Sequence, residues 1–287
     1  MSRTATLLAI TTIGLWSFLA FLGARVNHLP PFLVVAIALT ISGVFSSFNI
    51  RSWSVPLTTL AVGIAGIFGY HFLYFSAFKF APAVETNLIN YLWPLLIVLL
   101  SPLFLSDYKL KAHHIIGAAI GLMGAGLIIT GGQLELNFYH LRGYLLAAGA
   151  ALTWACYSLM TKRLPSFPTG AVGTFCLGSG ILALIAFWLT SPTTHPIQLV
   201  PSDWVALILL GIGPMGAAFF TWDAALKRGD PRVIGSLAYL IPMTSTLVLF
   251  LLGGHTITWV SGIAMLLIMG GAVIGSLDLF KEILASK

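Results

Sequence analysis

Ten apolar stretches, each about as long as a bilayer is thick, occupy almost the whole of this chain. A helix needs about 17–25 apolar residues to cross the hydrocarbon core. The stretches are continuously apolar, whereas strands of a membrane barrel would alternate. The sequence therefore predicts an all-α integral membrane protein with ten transmembrane helices, here called spans 1 to 10. They are predicted at residues 4–22, 32–49, 56–78, 83–105, 113–131, 142–161, 169–190, 203–225, 232–252 and 257–278.

The composition excludes a water-soluble fold. Hydrophobic residues make up 58% of the chain and charged residues 8%, against about 25% charged residues in a soluble domain. The net charge of +6 comes from single or paired basic residues between apolar stretches, which is typical of loops facing anionic lipid. We therefore expect the lipid bilayer as a partner, and no nucleic acid. Cys156 and Cys176 lie inside spans and are expected to be free, buried thiols.

The basic residues are distributed unequally between the two sides of the predicted bundle. If the spans alternate in direction, eleven basic residues lie on the side of the amino terminus and three on the other, which accounts for all 14. The positive-inside rule then puts both termini in the cytoplasm. The three residues predicted on the outer side are Arg25, Lys79 and Arg142.

The chain contains an internal repeat. Residues 74–94 align without a gap with 222–242, so that Tyr91 falls on Tyr239 and Pro94 on Pro242. The predicted repeats cover residues 1–135 and 142–287, five helices each. Because five is odd, the second repeat is inverted in the membrane, an arrangement that transporters use to build a substrate site at the midplane.

Pro94 and Pro242 lie near the middle of spans 4 and 9, in register with one another. A proline inside a helix leaves a carbonyl without its partner and kinks the helix. We expect both spans to kink there, and the kinks either move during transport or only shape the packing.

Aromatic and amide residues are placed at the expected midplane. Tyr70, Tyr74 and Phe78 share one helical face, and the spacing of Asn87, Asn90, Tyr91 and Pro94 predicts another. Such groups bind a ring on their faces and a polar group through hydrogen bonds, and no Lys or Arg lies at the span centres. The pattern predicts a cavity for a neutral or zwitterionic substrate, with core packing as the alternative. The candidate binding residues are Trp16, Tyr70, His71, Tyr74, Asn87, Asn90, Tyr91, Trp93 and Trp154.

Two acidic residues near span ends are candidates for proton coupling. Glu85 could instead be a carboxylate at a helix start, and Asp223 could instead pair with Lys227 one turn away. His113 and His114 lack further ligands at metal spacing, so we expect a solvated connector, no metal site and no cofactor.

These features, and above all "GYHFLYFSAFKFAPAVETNLINYLWPLLIVLLS" at 69–101, resemble the EamA family of the drug/metabolite transporter superfamily. The resemblance is strongest to its aromatic amino acid exporters of bacterial inner membranes, and it extends over the whole chain. It implies export of aromatic, and other neutral, amino acids from the cytoplasm by alternating access. The residues that match the motif are Tyr70, His71, Tyr74, Tyr91, Trp93 and Pro94, with Trp154 facing them.

Other functions fit the residues less well. The main alternative is a multidrug, organic-cation or other small-metabolite exporter of the same superfamily. Carriers of phosphorylated sugars would need buried Lys or Arg, and an enzyme would need a nucleophile–base pair; neither is present. Glycine faces in spans 5 and 10, including Gly117, Gly121 and Gly271, predict close helix packing within a monomer, with a dimer interface as the alternative.

Overall fold

The computed structural model describes residues 2–134, 136–190, 197–253 and 258–278. All regular elements in these ranges are helical. The fourteen α-helices among the described residues are α1 (Arg3–Ser17), α2 (Leu19–Arg25), α3 (Pro31–Ser46), α4 (Leu57–Ala77), α5 (Ala83–Asn90), α6 (Trp93–Phe104), α7 (Ala112–Thr130), α8 (Leu141–Arg163), α9 (Val172–Thr190), α10 (Pro201–Ile212), α11 (Ala218–Arg228), α12 (Pro231–Ala238), α13 (Leu240–Gly253) and α14 (Trp259–Gly275).

Eight helical segments of the described chain are long and apolar enough to cross a membrane. Some consist of two helices in sequence: α1 continues into α2, α5 into α6, α10 into α11, and α12 into α13. The segments predicted as spans 2 and 10 are shorter. They correspond to α3 and α14, apolar helices of 16 and 17 residues. At about 1.5 Å per residue these are near 25 Å long, somewhat less than the hydrocarbon core.

The most extensive helix contacts recur when each predicted span is exchanged for its repeat equivalent, although the packing of α7 on α12 and α13 has no counterpart of similar extent. Spans 2 and 7 pack on each other as α3 on α9, and spans 5 and 10 as α7 on α14. Span 3 packs on span 6 as α4 on α8, and the equivalent spans 8 and 1 pack as α11 on α1. This is the contact pattern that two repeats of the same fold would give.

Glycines allow α7 and α14 to approach backbone to backbone. A Cβ on Gly271 would lie 2.5 Å from the amide nitrogen of Gly121, and one on Gly117 would overlap the Gly275 backbone. The packing of predicted spans 5 and 10 within the chain is therefore confirmed, although the space around Gly270 is open.

Among the four divided segments, spans 4 and 9 are interrupted next to the prolines of the repeat. Span 4 stops being helical between Asn90 and Trp93, and span 9 breaks at Tyr239. Each break directly precedes a predicted kink proline, because Pro94 and Pro242 stand in the first turn of α6 and α13. Proline is tolerated there because first-turn amides need no intrahelical partner. The spacing had predicted that Asn87, Asn90, Tyr91 and Pro94 share one helical face. Because the helix is interrupted between Asn90 and Trp93, they do not share a continuous one.

Candidate functional site

Four tryptophans from four different segments meet in the interior of the bundle. Trp16 of α1 is the common neighbour: its ring centroid lies 6.0 Å from that of Trp93, 5.8 Å from Trp154 and 5.1 Å from Trp222. All four are buried. We call these four residues the tryptophan cluster. It draws Trp16 and Trp93 from the first half of the chain and Trp154 and Trp222 from the second.

Two of the indole N–H groups are satisfied inside the protein. Trp16 Nε1 donates to the carbonyl of Pro214 at 3.0 Å, and Trp222 Nε1 donates to Ser158 Oγ at 3.0 Å. Pro214 belongs to a π-helical turn over 213–217 that separates α10 from α11. This widened turn directs a carbonyl at the cluster, so the orientation of Trp16 depends on a backbone irregularity in the other half of the chain.

A set of hydrogen-bonded tyrosine and asparagine side chains from α4 and α5 lies beside the tryptophan cluster. The rings of Tyr70 and Tyr74 stack 5.7 Å apart, and Tyr70 contacts Trp154 at 5.2 Å between centroids. Tyr74 OH donates to Asn87 Oδ1, and Asn90 Nδ2 donates to Tyr70 OH at 3.2 Å. The spacing of Tyr70 and Tyr74 on one face was predicted; their pairing with the two asparagines was not.

Asn90 leaves one acceptor unused. Its Oδ1 atom is buried and has no hydrogen-bond partner among the described residues. A buried carbonyl oxygen without a partner costs about 1–3 kcal/mol, and such a group calls for an explanation such as a functional role or a bound water or ion. The atom is an acceptor, so it suits a donor such as an ammonium group.

His71 adds a second acceptor beside the aromatic rings. Its Nδ1 lies 2.7 Å from the carbonyl oxygen of Ile67. A carbonyl can only accept, so Nδ1 carries the proton, and the neutral ring presents Nε2 as an acceptor. The ring packs 5.1 Å from Tyr70 and 6.2 Å from Phe219 between centroids.

Sequence reasoning missed Trp222 and Phe219. Phe219 lies 5.5 Å from Trp154 and 6.3 Å from Trp16. The repeat alignment contained the signal, because it places Trp222 opposite Tyr74 and, extended three residues upstream, Phe219 opposite His71. The repeat equivalents of two predicted site residues therefore join the same cluster.

Tyr239 is a further buried residue that the sequence did not single out as part of the site. Its side chain is fully buried, and its hydroxyl accepts from the Leu95 amide at 3.1 Å and donates to the Tyr91 carbonyl at 3.3 Å. Residues 91 and 95 are the pair that a continuous helix would join directly. The hydroxyl thus occupies the place of a missing helical hydrogen bond in span 4.

The two acidic candidates lie in different surroundings. Asp223 is paired with Lys227 at 2.7 Å and also accepts from Thr169 Oγ1 at 2.7 Å, which is the pairing that the sequence offered as the alternative. Glu85 stands in the first turn of α5. Each keeps one buried carboxylate oxygen without a hydrogen-bond partner in the described ranges.

The prediction of a solvated connector at His113 and His114 was wrong. α7 begins at Ala112, so both histidines lie in its first turn, and His114 is completely buried. Asp278, which follows α14, approaches both rings.

A cavity of about 750 Å³ lies at the far end of α6. It is lined by residues 102–108 together with Lys162 and Arg163, and none of the tryptophan cluster contributes to it. From Trp93 to Pro102 the helix rises about 14 Å.

Known proteins resemble this chain over nearly its whole length. The model of the EamA-like transporter family matches residues 3–130 and 141–277. The aromatic amino acid exporter YddG of Ancylobacter novellus is 41% identical, over 96% of this chain and 99% of the exporter. A biotin transporter of Escherichia coli is 27% identical, over 80% of this chain and 78% of the relative. A crystal structure of a 39% identical protein matches with a TM-score of 0.90, over 96% of this chain and 98% of the other. The resemblance inferred from residues 69–101 is therefore confirmed.

Proposed function

The chain belongs to the EamA-like transporter family and is a multi-pass membrane protein, and we propose that it exports aromatic amino acids, and other neutral ones, from the cytoplasm. The relative with 41% identity is named an aromatic amino acid exporter. The observation in this chain that carries the proposal is the tryptophan cluster, with Tyr70 and Tyr74 stacked beside it.

The cluster suits an aromatic side chain. Aromatic rings prefer offset-stacked or edge-to-face neighbours, and each such pair contributes about 0.5–1.5 kcal/mol beyond the burial of apolar area. Trp16 already makes edge-to-face contacts with Trp93 and Trp154. A substrate ring would take up contacts of the same kind when the two halves separate to form a cavity.

The polar groups suit the backbone of an amino acid. Asn90 Oδ1 and His71 Nε2 are acceptors for the ammonium group, and the hydroxyl of Tyr70, which accepts from Asn90, is a donor for the carboxylate. The acidic residue that follows Trp222 in the sequence, Asp223, is neutralised by Lys227. The site therefore offers hydrogen bonds without a net charge, which matches a zwitterion.

The broken spans suit alternating access. In the proposed inverted-repeat architecture, residues 1–135 and 142–287 form the two halves of a ten-span bundle. α6 of the first half packs on α12 of the second, where Gly235 lies against the carbonyl of Pro94. Half-helices that end at a midplane site can rotate separately, which is how discontinuous helices serve transporters.

The proposal includes the setting of the protein. Both termini face the cytoplasm of a bacterium, the bundle lies in the inner membrane, and the monomer is the transporting unit. Protons acting through Glu85 or Asp223 are the candidate coupling ion.

The experiment is counterflow of labelled phenylalanine in proteoliposomes, with and without an imposed pH gradient. Folding of the sample is checked separately by monodisperse elution and thermal unfolding. Movement of phenylalanine and tryptophan, competed by neither phosphorylated sugars nor organic cations, supports the proposal. Movement that follows the gradient makes protons the coupling ion; movement that ignores it indicates a facilitator.

Absence of phenylalanine movement in a folded sample would overturn the assignment. Organic cations and biotin are the substrates to test next in that case. Biotin is included because one relative is named a biotin transporter. Organic cations are included because a tilted segment could bring the Glu85 carboxylate towards the site.

A further inference from the structure

A cluster of ligating side chains lies where the start of α7 meets the chain after α14, and it shares no residue with the tryptophan cluster. It consists of His113, His114 and Asp278, whose ligand atoms all lie within 4.8 Å of one another. Lys111 approaches the same carboxylate. The two histidines and the aspartate are 164 residues apart in sequence, so only the packing of α7 against α14 brings them together.

The spacing of the ligand atoms fits a small metal ion. His113 Nε2 lies 3.5 Å from Asp278 Oδ1, and His114 Nε2 lies 3.4 Å from Oδ2. Zinc–nitrogen and zinc–oxygen bonds of about 2.0–2.2 Å in a tetrahedron separate neighbouring ligand atoms by about 3.3–3.6 Å. The two histidines face different oxygens of Asp278, and the three ligand atoms lie within 4.8 Å of one another, so closure around one ion needs only rotation of the carboxylate and the rings.

Both histidines direct an unpartnered nitrogen into this space. Nε2 of His113 and Nε2 of His114 are buried and have no hydrogen-bond partner in the described part of the chain. The His114 side chain is 0% exposed. Two buried nitrogens without partners beside one carboxylate are costly in a purely structural role, and the cost disappears if they bind a cation.

Lys111 currently supplies the positive charge. Its Nζ lies 2.9 Å and 3.0 Å from the two oxygens of Asp278, while its side chain is 56% exposed. Because the Lys111 side chain is largely in solvent, the ammonium can swing away and release the carboxylate.

We propose that His113, His114 and Asp278 form a binding site for a divalent transition-metal ion such as Zn²⁺. Imidazole nitrogen and one carboxylate suit zinc, copper and nickel, whereas Mg²⁺ and Ca²⁺ require oxygen ligands. The ion displaces Lys111, and a water completes a tetrahedron. The site ties the start of α7 to the end of the helix that packs along it.

Binding also changes one hydrogen bond of His114. At present Nδ1 accepts from the Lys111 backbone amide at 3.3 Å, so the proton of the neutral ring is on Nε2. Metal binding at Nε2 moves the proton to Nδ1 and gives up this long bond. Lys111 is the exposed N-cap residue of α7; its amide has no helical carbonyl to donate to and donates to water instead, so the loss is small.

The test is a calorimetric titration of Zn²⁺ into purified full-length protein that carries no polyhistidine tag. The visible spectrum of bound Co²⁺ reports the geometry. We expect one ion per chain, the intense bands of tetrahedral Co²⁺, and no response to Mg²⁺ or Ca²⁺. His114→Gln and Asp278→Asn should each weaken binding at least about tenfold, which is the lower end of the loss that even an outer-shell partner of a metal site produces.

Two further variants distinguish specific binding at this site from nonspecific metal binding. His28→Gln is the matched control, because His28 also faces a buried aspartate, Asp203, at 3.3 Å but has no third ligand among the described residues; it should bind as the parent does. Lys111→Ala should bind several-fold tighter, because a competing cation has been removed. No stoichiometric binding in the parent and in Lys111→Ala, or equal binding in the ligand variants, would overturn the proposal.

Discussion

The hydroxyl of Tyr239 donates a hydrogen bond to the backbone carbonyl of Tyr91, 3.3 Å away, although the repeat alignment places these two tyrosines at equivalent positions. The same hydroxyl accepts from the Leu95 amide. One side chain from the second half of the chain thus closes the break in span 4 of the first half. No reciprocal bond from the Tyr91 hydroxyl to span 9 is present among the described residues.

Replacing Tyr239 with Phe should therefore leave the Tyr91 carbonyl and the Leu95 amide without partners. We expect destabilisation of about 1–3 kcal/mol and a change in the turnover rate of transport larger than the change in KM. Thermal unfolding and counterflow kinetics measure the two effects. Tyr139→Phe is the control, because Tyr139 is 93% exposed; equal behaviour of the two variants would contradict a bridging role.

Trp16→Ala should abolish the contacts that connect the tryptophan cluster. A large-to-small change of this kind costs about 3–5 kcal/mol when the space cannot collapse, and we expect phenylalanine counterflow to fall at least about tenfold. The matched change is Trp188→Ala, at a residue that is 70% exposed and should transport normally. Normal flux in a folded Trp16→Ala protein would remove the aromatic site from consideration.

Asn90→Leu tests the unused acceptor directly. If Asn90 Oδ1 binds the ammonium group, the variant loses a charge-assisted bond of about 1.5–3 kcal/mol, so affinity for phenylalanine should fall at least about tenfold. Competition by 3-phenylpropionate, which lacks the ammonium, should change little. The ratio of the two inhibition constants within one variant is the measurement, so a general loss of folded protein cancels. An unchanged ratio would assign the ammonium to another group.

Asp223→Asn should destabilise the protein by removing one partner of a buried ion pair. Such a loss costs about 3–5 kcal/mol, because the remaining charge is left uncompensated. The double variant Asp223→Asn with Lys227→Met should recover much of the stability. If the double variant is stable and still responds to a pH gradient, Asp223 is structural and proton coupling lies elsewhere.

Gly271→Ala and Gly270→Ala are adjacent substitutions with opposite expected effects. The first places a methyl group 2.5 Å from the Gly121 amide nitrogen, whereas the second meets open space. Overpacking costs about 1–3 kcal/mol, while alanine in an open helical position gains up to about 1 kcal/mol over glycine. Thermal unfolding of the pair measures the difference, and equal melting temperatures would show that α7 and α14 are not closely packed.

The sequence by itself was sufficient for the membrane class, most of the helical segments and the family. Lipid imposes a requirement on composition and length that is satisfied locally, segment by segment, so apolar stretches can be read directly from the chain. The face that carries Tyr70 and Tyr74 was likewise predictable, because the two residues lie one turn apart on the same helix.

The tertiary structure decided which residues meet. Trp222 joins Trp16, the Tyr239 hydroxyl completes a helix 148 residues away, and Asp278 supplies a third ligand for two histidines that had looked solvated. These contacts depend on which helices pack together and at what rotation, and continuous apolar faces do not specify that, because lipid is as apolar as the helices. The choice of helix partners and their rotation is set instead by small-residue contacts such as Gly121 with Gly271, and by buried polar groups that must find partners.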